Sequence, residues 1–189
     1  YLTALTHLSL YGNDLEGALP DLGNLVGMQF LAMESNGLTG PIPTWFGSMT
    51  ALEFLALGDN QLTGSLPTEM ASMTSLQEIA LDWNMLTGSM EVLTDLPYLR
   101  RLYLGHNMLT GEVDDNFFKE AYLQELDLAS NNFTGYLPLH FFNDNELTLI
   151  DLHSNEISGK FPTGFVRNDH LKFLALYDNA IGGSVPSEI

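Results

Sequence analysis

An asparagine recurs at a fixed interval along the whole chain, and each copy ends the same apolar pattern, L-x-x-L-x-L-x-x-N. Successive copies are 23 or 24 residues apart. The asparagines are Asn13, Asn36, Asn60, Asn84, Asn107, Asn131, Asn155 and Asn179. Such a period restricts the chain to a repeat architecture, because each unit must pack on its neighbours to bury its apolar side. We therefore predict a single solenoid domain over residues 1–189 with eight units and no linker.

Each unit also places apolar residues and a glycine at constant offsets from its asparagine. In the third unit Leu55 and Leu57 precede Asn60, whereas Leu62 and Gly64 follow it. Alternation in the L-x-L segment puts both leucines on one face of a short strand. The glycine indicates a backbone position with positive φ or with a close neighbour. The asparagine amide both donates and accepts hydrogen bonds, so we expect a buried ladder that links each coil to the adjacent one.

Composition excludes several classes of partner and site. Lys and Arg number 6 against 24 Asp and Glu, which gives a net charge of −18 at pH 7. Nucleic acid binding needs clustered positive charge, so we expect no nucleic acid partner. The chain has no cysteine, which excludes disulfides and Cys-ligated metal sites. No apolar run approaches the roughly 20 residues of a membrane span, so we expect no membrane insertion by this segment.

The segments NGLTGPIP at 36–43 and NQLTGSLP at 60–67 resemble the plant-type leucine-rich repeat, N-x-L-T-G-x-I-P. This subclass occurs in receptor ectodomains, in polygalacturonase inhibitors and in related algal proteins. The resemblance implies an α/β-class leucine-rich repeat solenoid that is mostly β. It would be a right-handed superhelix with a parallel concave sheet and a convex side of 3-10 or irregular structure. It also implies an extracellular, non-enzymatic protein that binds ligands and requires no cofactor.

The chain departs from this subclass at its ends and in its later units. The family usually brackets its array with disulfide-bonded caps, and this chain has neither caps nor cysteines. We therefore expect a flanking cap or further chain over the terminal coils, because uncapped solenoid ends expose apolar edges. In the later units the pairs at 117–118 and 141–142 are both Phe-Phe. We predict that they fill the interior of those coils.

Residues two, four and six positions before each asparagine are expected to project from the concave face, with Trp83 at a strand exit. Exposed aromatic residues rimmed by polar groups are typical anchors of a binding surface. The candidate ligand-binding residues are Tyr11, Phe30, Phe54, Trp83, Arg101, Tyr103, His153, Phe173 and Tyr177. An alternative is that Phe30 and Phe54 only cover the sheet or a missing neighbouring segment.

Charged residues of this face have several interpretations. Arg101 should lie between Glu78 and Glu125, either as part of a surface charge ladder or poised for an acidic ligand. Asp127 and Asp151 should stack directly, as solvated carboxylates or as a weak calcium site. Such a carboxylate pair also occurs in glycosidases. An open sheet does not provide the enclosure that tunes catalytic carboxylates, so we expect no catalysis.

Two further sequence signals concern modification and metals. Asn132-Phe133-Thr134 is an N-glycosylation sequon, and Asn132 should face solvent just after a strand. The five histidines have no spacing typical of a metal site, and with no cysteine a structural zinc site is not expected.

Three functions are compatible with these features. The first is an extracellular recognition module that binds a protein, peptide or glycan, as a receptor ectodomain or a secreted binder. The second is a structural or adhesive surface protein whose acidic surface is bridged by calcium. The third is an inhibitor of a secreted cell-wall hydrolase, for which the negative charge would require a basic enzyme.

Overall fold

The computed structural model describes residues 2–116, 122–142, 146–162 and 169–185. In these ranges the chain winds as a solenoid with two parallel sheets. Short strands of the two sheets alternate along the chain, so each coil contributes one strand to the first sheet before it turns. The predicted fold class, a mostly β leucine-rich repeat solenoid, is confirmed.

The first sheet, called the concave sheet here, has eight described strands of three residues each. Its strands are β1 His7–Ser9, β3 Phe30–Ala32, β5 Phe54–Ala56, β7 Glu78–Ala80, β9 Arg101–Tyr103, β11 Glu125–Asp127, β13 Leu149–Asp151 and β14 Phe173–Ala175. Equivalent residues of neighbouring coils pair directly, as Phe30 does with Phe54. Side chains at one repeat position therefore form a column across the coils.

The second sheet follows the asparagine turns and was not anticipated from the sequence. Its described strands are β2 Glu16–Ala18, β4 Gly37–Pro41, β6 Gln61–Ser65, β8 Met85–Ser89, β10 Met108–Val113 and β12 Asn132–Gly135. Here the pairing is shifted by two residues per coil, because Thr63 pairs with Met85 instead of the equivalent Thr87. The coils are therefore in register on the concave side and sheared on the second side.

Short 3-10 turns complete the coils on the remaining side. The described turns are Thr44–Ser48, Thr68–Ser72, Glu91–Leu93 and Leu139–Phe142. Three of them follow a proline, which cannot donate to a ladder: Pro43, Pro67 and Pro138. The backbone is extended at Pro43 and Pro67. These turns agree with the 3-10 character expected for the convex side.

One apolar core runs through the stacked coils. The inward residues Leu31, Leu55 and Ile79 of consecutive concave strands are fully buried. From Asn36 onward, the apolar residue two positions after each asparagine packs in or against the same core. Phe141 and Phe142 are also buried, as the sequence predicted. The other pair, at 117–118, lies outside the described residues.

The asparagines join consecutive coils through both ends of the side-chain amide. Asn60 Nδ2 donates to the carbonyl oxygen of Met33 in the preceding coil at 3.0 Å and to that of Leu57 in its own coil at 3.0 Å. Its Oδ1 accepts from the Leu38 N–H of the preceding coil at 3.0 Å. The same pattern holds for the asparagines from Asn36 onward.

Burial of these asparagines is less uniform than the sequence analysis expected. Asn107 and Asn131 are buried, whereas most of the others are only partly buried. Asn13, in the first coil, is exposed, and its amide donates to the Leu10 and Tyr11 carbonyl oxygens of its own turn. Position in the stack therefore determines how much each amide is shielded from water.

Candidate functional site

The first coils form an apolar patch on the concave face. The rings of Phe30 and Phe54 stack with centroids 4.4 Å apart and planes inclined by 6°, and His7 stacks on Phe30 at 6.0 Å. Ala32 and Ala56, two residues farther along the same strands, are buried. The two phenylalanines are half-buried, and their rings stack on each other. We call His7, Phe30 and Phe54 the ring stack.

A charged segment follows the ring stack along the same columns. Arg101 Nη2 lies 2.5 Å from Glu78 Oε2, and the Tyr103 hydroxyl donates a hydrogen bond to Glu125. The hydrogen bond with Glu78 raises the pKa of Arg101, and burial together with Glu125 raises the pKa of Tyr103 far above its usual value. Arg101 is thus held by a carboxylate of its own chain, which favours the charge-ladder interpretation over an acidic ligand.

Asp127 and Asp151 pair directly across neighbouring strands. Asp127 Oδ1 accepts the Ala129 N–H at 2.9 Å, and Asp151 Oδ1 lies 2.6 Å from His153 Nδ1. Burial raises the pKa of Asp127, and the backbone hydrogen bond partly opposes this shift. Across the described ranges, no group of three or more His, Cys, Asp or Glu residues is arranged to hold a metal ion. Calcium binding by this pair stays a prediction.

A row of rings along the strand exits includes a residue that the sequence analysis missed. His106 stacks on Trp83 with centroids 3.7 Å apart and planes inclined by 17°. The edge of His106 contacts His153 at 6.3 Å, and His153 stacks on Tyr177 at 4.3 Å. We call Trp83, His106, His153 and Tyr177 the rim row. It brings three predicted residues together with one that was not predicted.

The backbone explains why Trp83 and His106 point to the rim. The residue before each asparagine from Asn36 onward adopts a left-handed conformation with φ between 51° and 55°. These residues are Ser35, Asp59, Trp83, His106, Ser130, Ser154 and Asp178. Most are small or polar residues that tolerate this conformation. Two large rings at a position otherwise occupied by Ser or Asp were the signal that could have identified His106.

The other predicted residues lie apart from these groups. Tyr11, in the first coil, and Phe173, in the last, are exposed at opposite ends of the array. Asn132 is exposed as the first residue of β12 and lies on the second sheet, away from the concave face. In the described part of the chain, no helix is both long enough and apolar enough to span a bilayer.

Three solved plant structures resemble the chain. The ectodomain of the receptor kinase GASSHO1/SCHENGEN3 from Arabidopsis thaliana, in complex with CASPARIAN STRIP INTEGRITY FACTOR 2, has a TM-score of 0.91 and 30% identity over 98% of this chain and 22% of that chain. The plant peptide hormone receptor RGFR1 in complex with RGF2 has a TM-score of 0.84 and 30% identity, and covers 100% of this chain and 34% of that chain. A plant ice-binding protein has a TM-score of 0.81 and 27% identity over 98% of this chain and 68% of that chain.

Sequence comparison identifies the repeat itself. The chain spans only about a quarter to a third of the two receptor ectodomains. No curated protein sequence matches it significantly. A family model described as leucine rich repeat matches residues 27–86 and 121–181, and a second model of that description matches residues 98–119. The chain belongs to the leucine-rich repeat family and is of the plant type found in receptor ectodomains.

Proposed function

We propose that the chain is a non-enzymatic extracellular recognition module that binds a peptide or protein ligand on its concave face. This proposal rests on the aromatic rings that remain accessible on the concave sheet. The inward-facing leucines complete the core without them. Trp83 and Tyr177 are 57% and 60% exposed, and such rings are enriched at the centre of binding surfaces. The two receptor ectodomains that resemble the chain were solved with the ligands named above.

The absence of catalysis in this proposal follows from the environment of the acidic residues. Asp127 and Asp151 lie on an open sheet, and each already accepts a hydrogen bond or contacts an imidazole of the chain. A catalytic carboxylate pair is usually enclosed, so that its two pKa values are driven apart. The concave sheet provides a broad contact area instead, which suits an extended ligand that crosses several coils.

Selection from a random peptide library displayed on phage tests this function. The immobilised chain should enrich specific peptides. The double variant Phe30→Ser with Phe54→Ser, or the single variant Trp83→Asn, should lower the affinity for the selected peptides by about tenfold or more. The matched control is Met85→Ser with Met108→Ser, which removes two exposed apolar side chains from the second sheet. No enrichment, or equal loss in the control, would contradict the proposal.

Adsorption to ice through the second sheet is a second candidate function. In a chain with 24 acidic residues, the strands β4, β6 and β8 contain no charged residue and read GLTGP, QLTGS and MLTGS. They present hydroxyl groups and small apolar groups on a stiff sheet, which suits an uncharged, ordered surface such as ice. The similar plant ice-binding protein supports this candidate.

An ice recrystallisation assay separates the two functions. If the second sheet adsorbs to ice, the unmodified chain inhibits recrystallisation, and Thr63→Lys with Thr87→Lys abolishes the inhibition. The concave double variant of Phe30 and Phe54 should then retain it. If the unmodified chain does not inhibit recrystallisation, this second candidate is wrong, whereas the recognition function is unaffected.

A further inference from the structure

Two large side chains occupy backbone positions that are unfavourable for them. Trp83 and His106 both have φ of 54°, in the left-handed region. This conformation costs an L-residue roughly 1–2 kcal/mol unless it is glycine, or asparagine or aspartate that bonds locally. The equivalent residues of the first three coils are Gly12, Ser35 and Asp59. Backbone strain of this kind clusters at ligand sites, so the rings at these positions indicate a role beyond folding.

The rim row is continuous because one coil between its members has a small residue. His106 belongs to the fifth coil and His153 to the seventh, yet their rings are 6.3 Å apart. The sixth coil places the buried Ala129 at the position that His153 occupies in its own coil. A large side chain there would separate the two histidines. The rings therefore form one wall from the fourth coil to the eighth.

Two carboxylates lie beside this wall, each over a glycine of the preceding coil. A Cβ atom built on Gly105 would lie 2.9 Å from Asp127 Oδ1, and one built on Gly58 would lie 2.9 Å from Asp82 Oδ1. Both carboxylates are close enough to each other and to His106 to interact electrostatically. Burial raises the pKa of Asp82 and that of Asp127; the charge of Asp127 adds to the shift at Asp82, and the charge of Asp151 adds to the shift at Asp127. Partly desolvated carboxylates in this state are stabilised by a cation.

We infer that the rim row and the carboxylates of Asp82 and Asp127 form the docking site for an arginine or lysine side chain of a basic peptide, an inference that rests on the proposed recognition function. The cation lies against the face of Trp83 that His106 does not cover, and the two carboxylates supply the opposing charge. Aromatic faces attract cations within about 6 Å of the ring centroid, most strongly in the case of tryptophan. Gly58 and Gly105 leave room for the cation to approach the carboxylates, because neither residue has a side chain that would cover the carboxylate oxygens.

Overall charge favours the same class of partner. The chain has a net charge of −18, and its field attracts basic ligands and repels acidic ones. Arg101 is held by Glu78, so it does not neutralise the two aspartates. A basic peptide is therefore complementary to both the site and the whole surface.

The test uses three synthetic peptides of equal length, in which the basic positions are arginine, citrulline or glutamate. Citrulline keeps the size and planar shape of the arginine side chain, but an acceptor oxygen replaces one of its nitrogen donors and it has no charge. Titration calorimetry should show binding of the arginine peptide, about tenfold weaker binding of the citrulline peptide, and no binding of the glutamate peptide. Equal affinity for arginine and citrulline would overturn the inference.

Variants of the chain locate the site and distinguish binding there from non-specific electrostatic attraction. Trp83→Asn keeps a residue that tolerates positive φ, and Asp127→Asn keeps an oxygen for the Ala129 N–H, so both should fold. Each should weaken binding of the arginine peptide by about tenfold, whereas Asp14→Asn, which neutralises an exposed carboxylate away from the site, should change it less than about twofold. Equal binding in all variants would show charge attraction alone and would overturn the inference.

Failure of this inference differs from failure of the recognition function. If the phage library yields concave binders that need Phe30 and Phe54 but neither Trp83 nor a basic residue, the inference is wrong and the function stands. If the library yields no binder and the arginine peptide does not bind, the recognition function itself is wrong.

Discussion

The side-chain amide of Asn107 donates to the Leu81 carbonyl oxygen at 3.0 Å, across the boundary between the fourth and fifth coils. The same side chain accepts the Leu86 N–H of the fourth coil at 2.9 Å. It also donates to the Leu104 carbonyl oxygen of its own coil at 3.1 Å, so one buried residue satisfies backbone groups in two coils. Asn13, which is exposed, donates instead to the Leu10 and Tyr11 carbonyl oxygens of its own turn.

We predict that Asn107→Ala destabilises the chain much more than Asn13→Ala. Removal of the Asn107 amide leaves buried backbone groups without a hydrogen-bond partner, and each unsatisfied group costs about 1–3 kcal/mol of stability. The exposed partners of Asn13 bind water instead, so that change should cost less than about 1 kcal/mol. Urea unfolding of the two variants measures the difference, and equal losses would show that the ladder contributes little.

Substitution of two repeat glycines by alanine should have unequal effects. A Cβ atom at Gly135 would lie 2.2 Å from the Val113 carbonyl oxygen, whereas one at Gly64 would lie 3.6 Å from its nearest neighbour, the Pro41 Cβ. Both glycines have positive φ, so Gly64→Ala should cost only the conformational strain of about 1–2 kcal/mol. Gly135→Ala adds a backbone clash and should cost clearly more. Chemical denaturation of both variants checks this order.

Asp127→Asn should raise the melting temperature at neutral pH. Burial raises the pKa of Asp127 in the folded chain above the ordinary value of 3.8, so the folded state binds this proton more tightly than the unfolded state. Stability then falls as pH rises through the interval between the unfolded and folded values, and the full penalty remains at neutral pH. Asparagine removes that penalty.

The stability gain of Asp127→Asn should therefore shrink as the pH is lowered toward 3.8, where the wild-type carboxyl is protonated. Thermal unfolding across this range measures the trend. A gain that stays constant with pH would show that the charge of Asp127 is not its cause. Because the same variant should lose affinity for a basic peptide, it tests whether this site exchanges stability for binding.

The stacked pair Phe30 and Phe54 should be energetically coupled. Their rings are nearly parallel, with planes inclined by 6°, and such pairs contribute about 0.5–1.5 kcal/mol beyond the apolar area that they bury. A double-mutant cycle with Phe30→Ala and Phe54→Ala measures this coupling directly. Additive effects would mean that the two rings do not stabilise each other.

The concave sheet could be predicted from the sequence because its side chains follow the repeat period. Pairing of Phe30 with Phe54 and of Asp127 with Asp151 follows directly from equal offsets before the asparagines. The second sheet was missed because its strands, such as Gly37–Pro41, contain glycine and proline and do not alternate simply between apolar and polar residues. Those residues typically indicate turns.

The rim row could be predicted only in part. Trp83, His153 and Tyr177 were identified as outward-facing rings, but their contacts depend on the left-handed residue before each asparagine and on the small side chain of Ala129. Both features decide where a side chain points after the strand has ended. Periodicity describes the strand itself, so it gave no information on this geometry.

The asparagine amides give the stack a direction. From Asn36 onward, each one donates to a carbonyl oxygen of the preceding coil, as Asn179 does to that of Leu152 at 2.8 Å. During synthesis on the ribosome, a newly emerged coil thus brings its own asparagine amide, and the carbonyl oxygen that accepts its hydrogen bond lies in the coil already made. Growth from the amino terminus can proceed turn by turn, without waiting for the carboxy-terminal residues to appear.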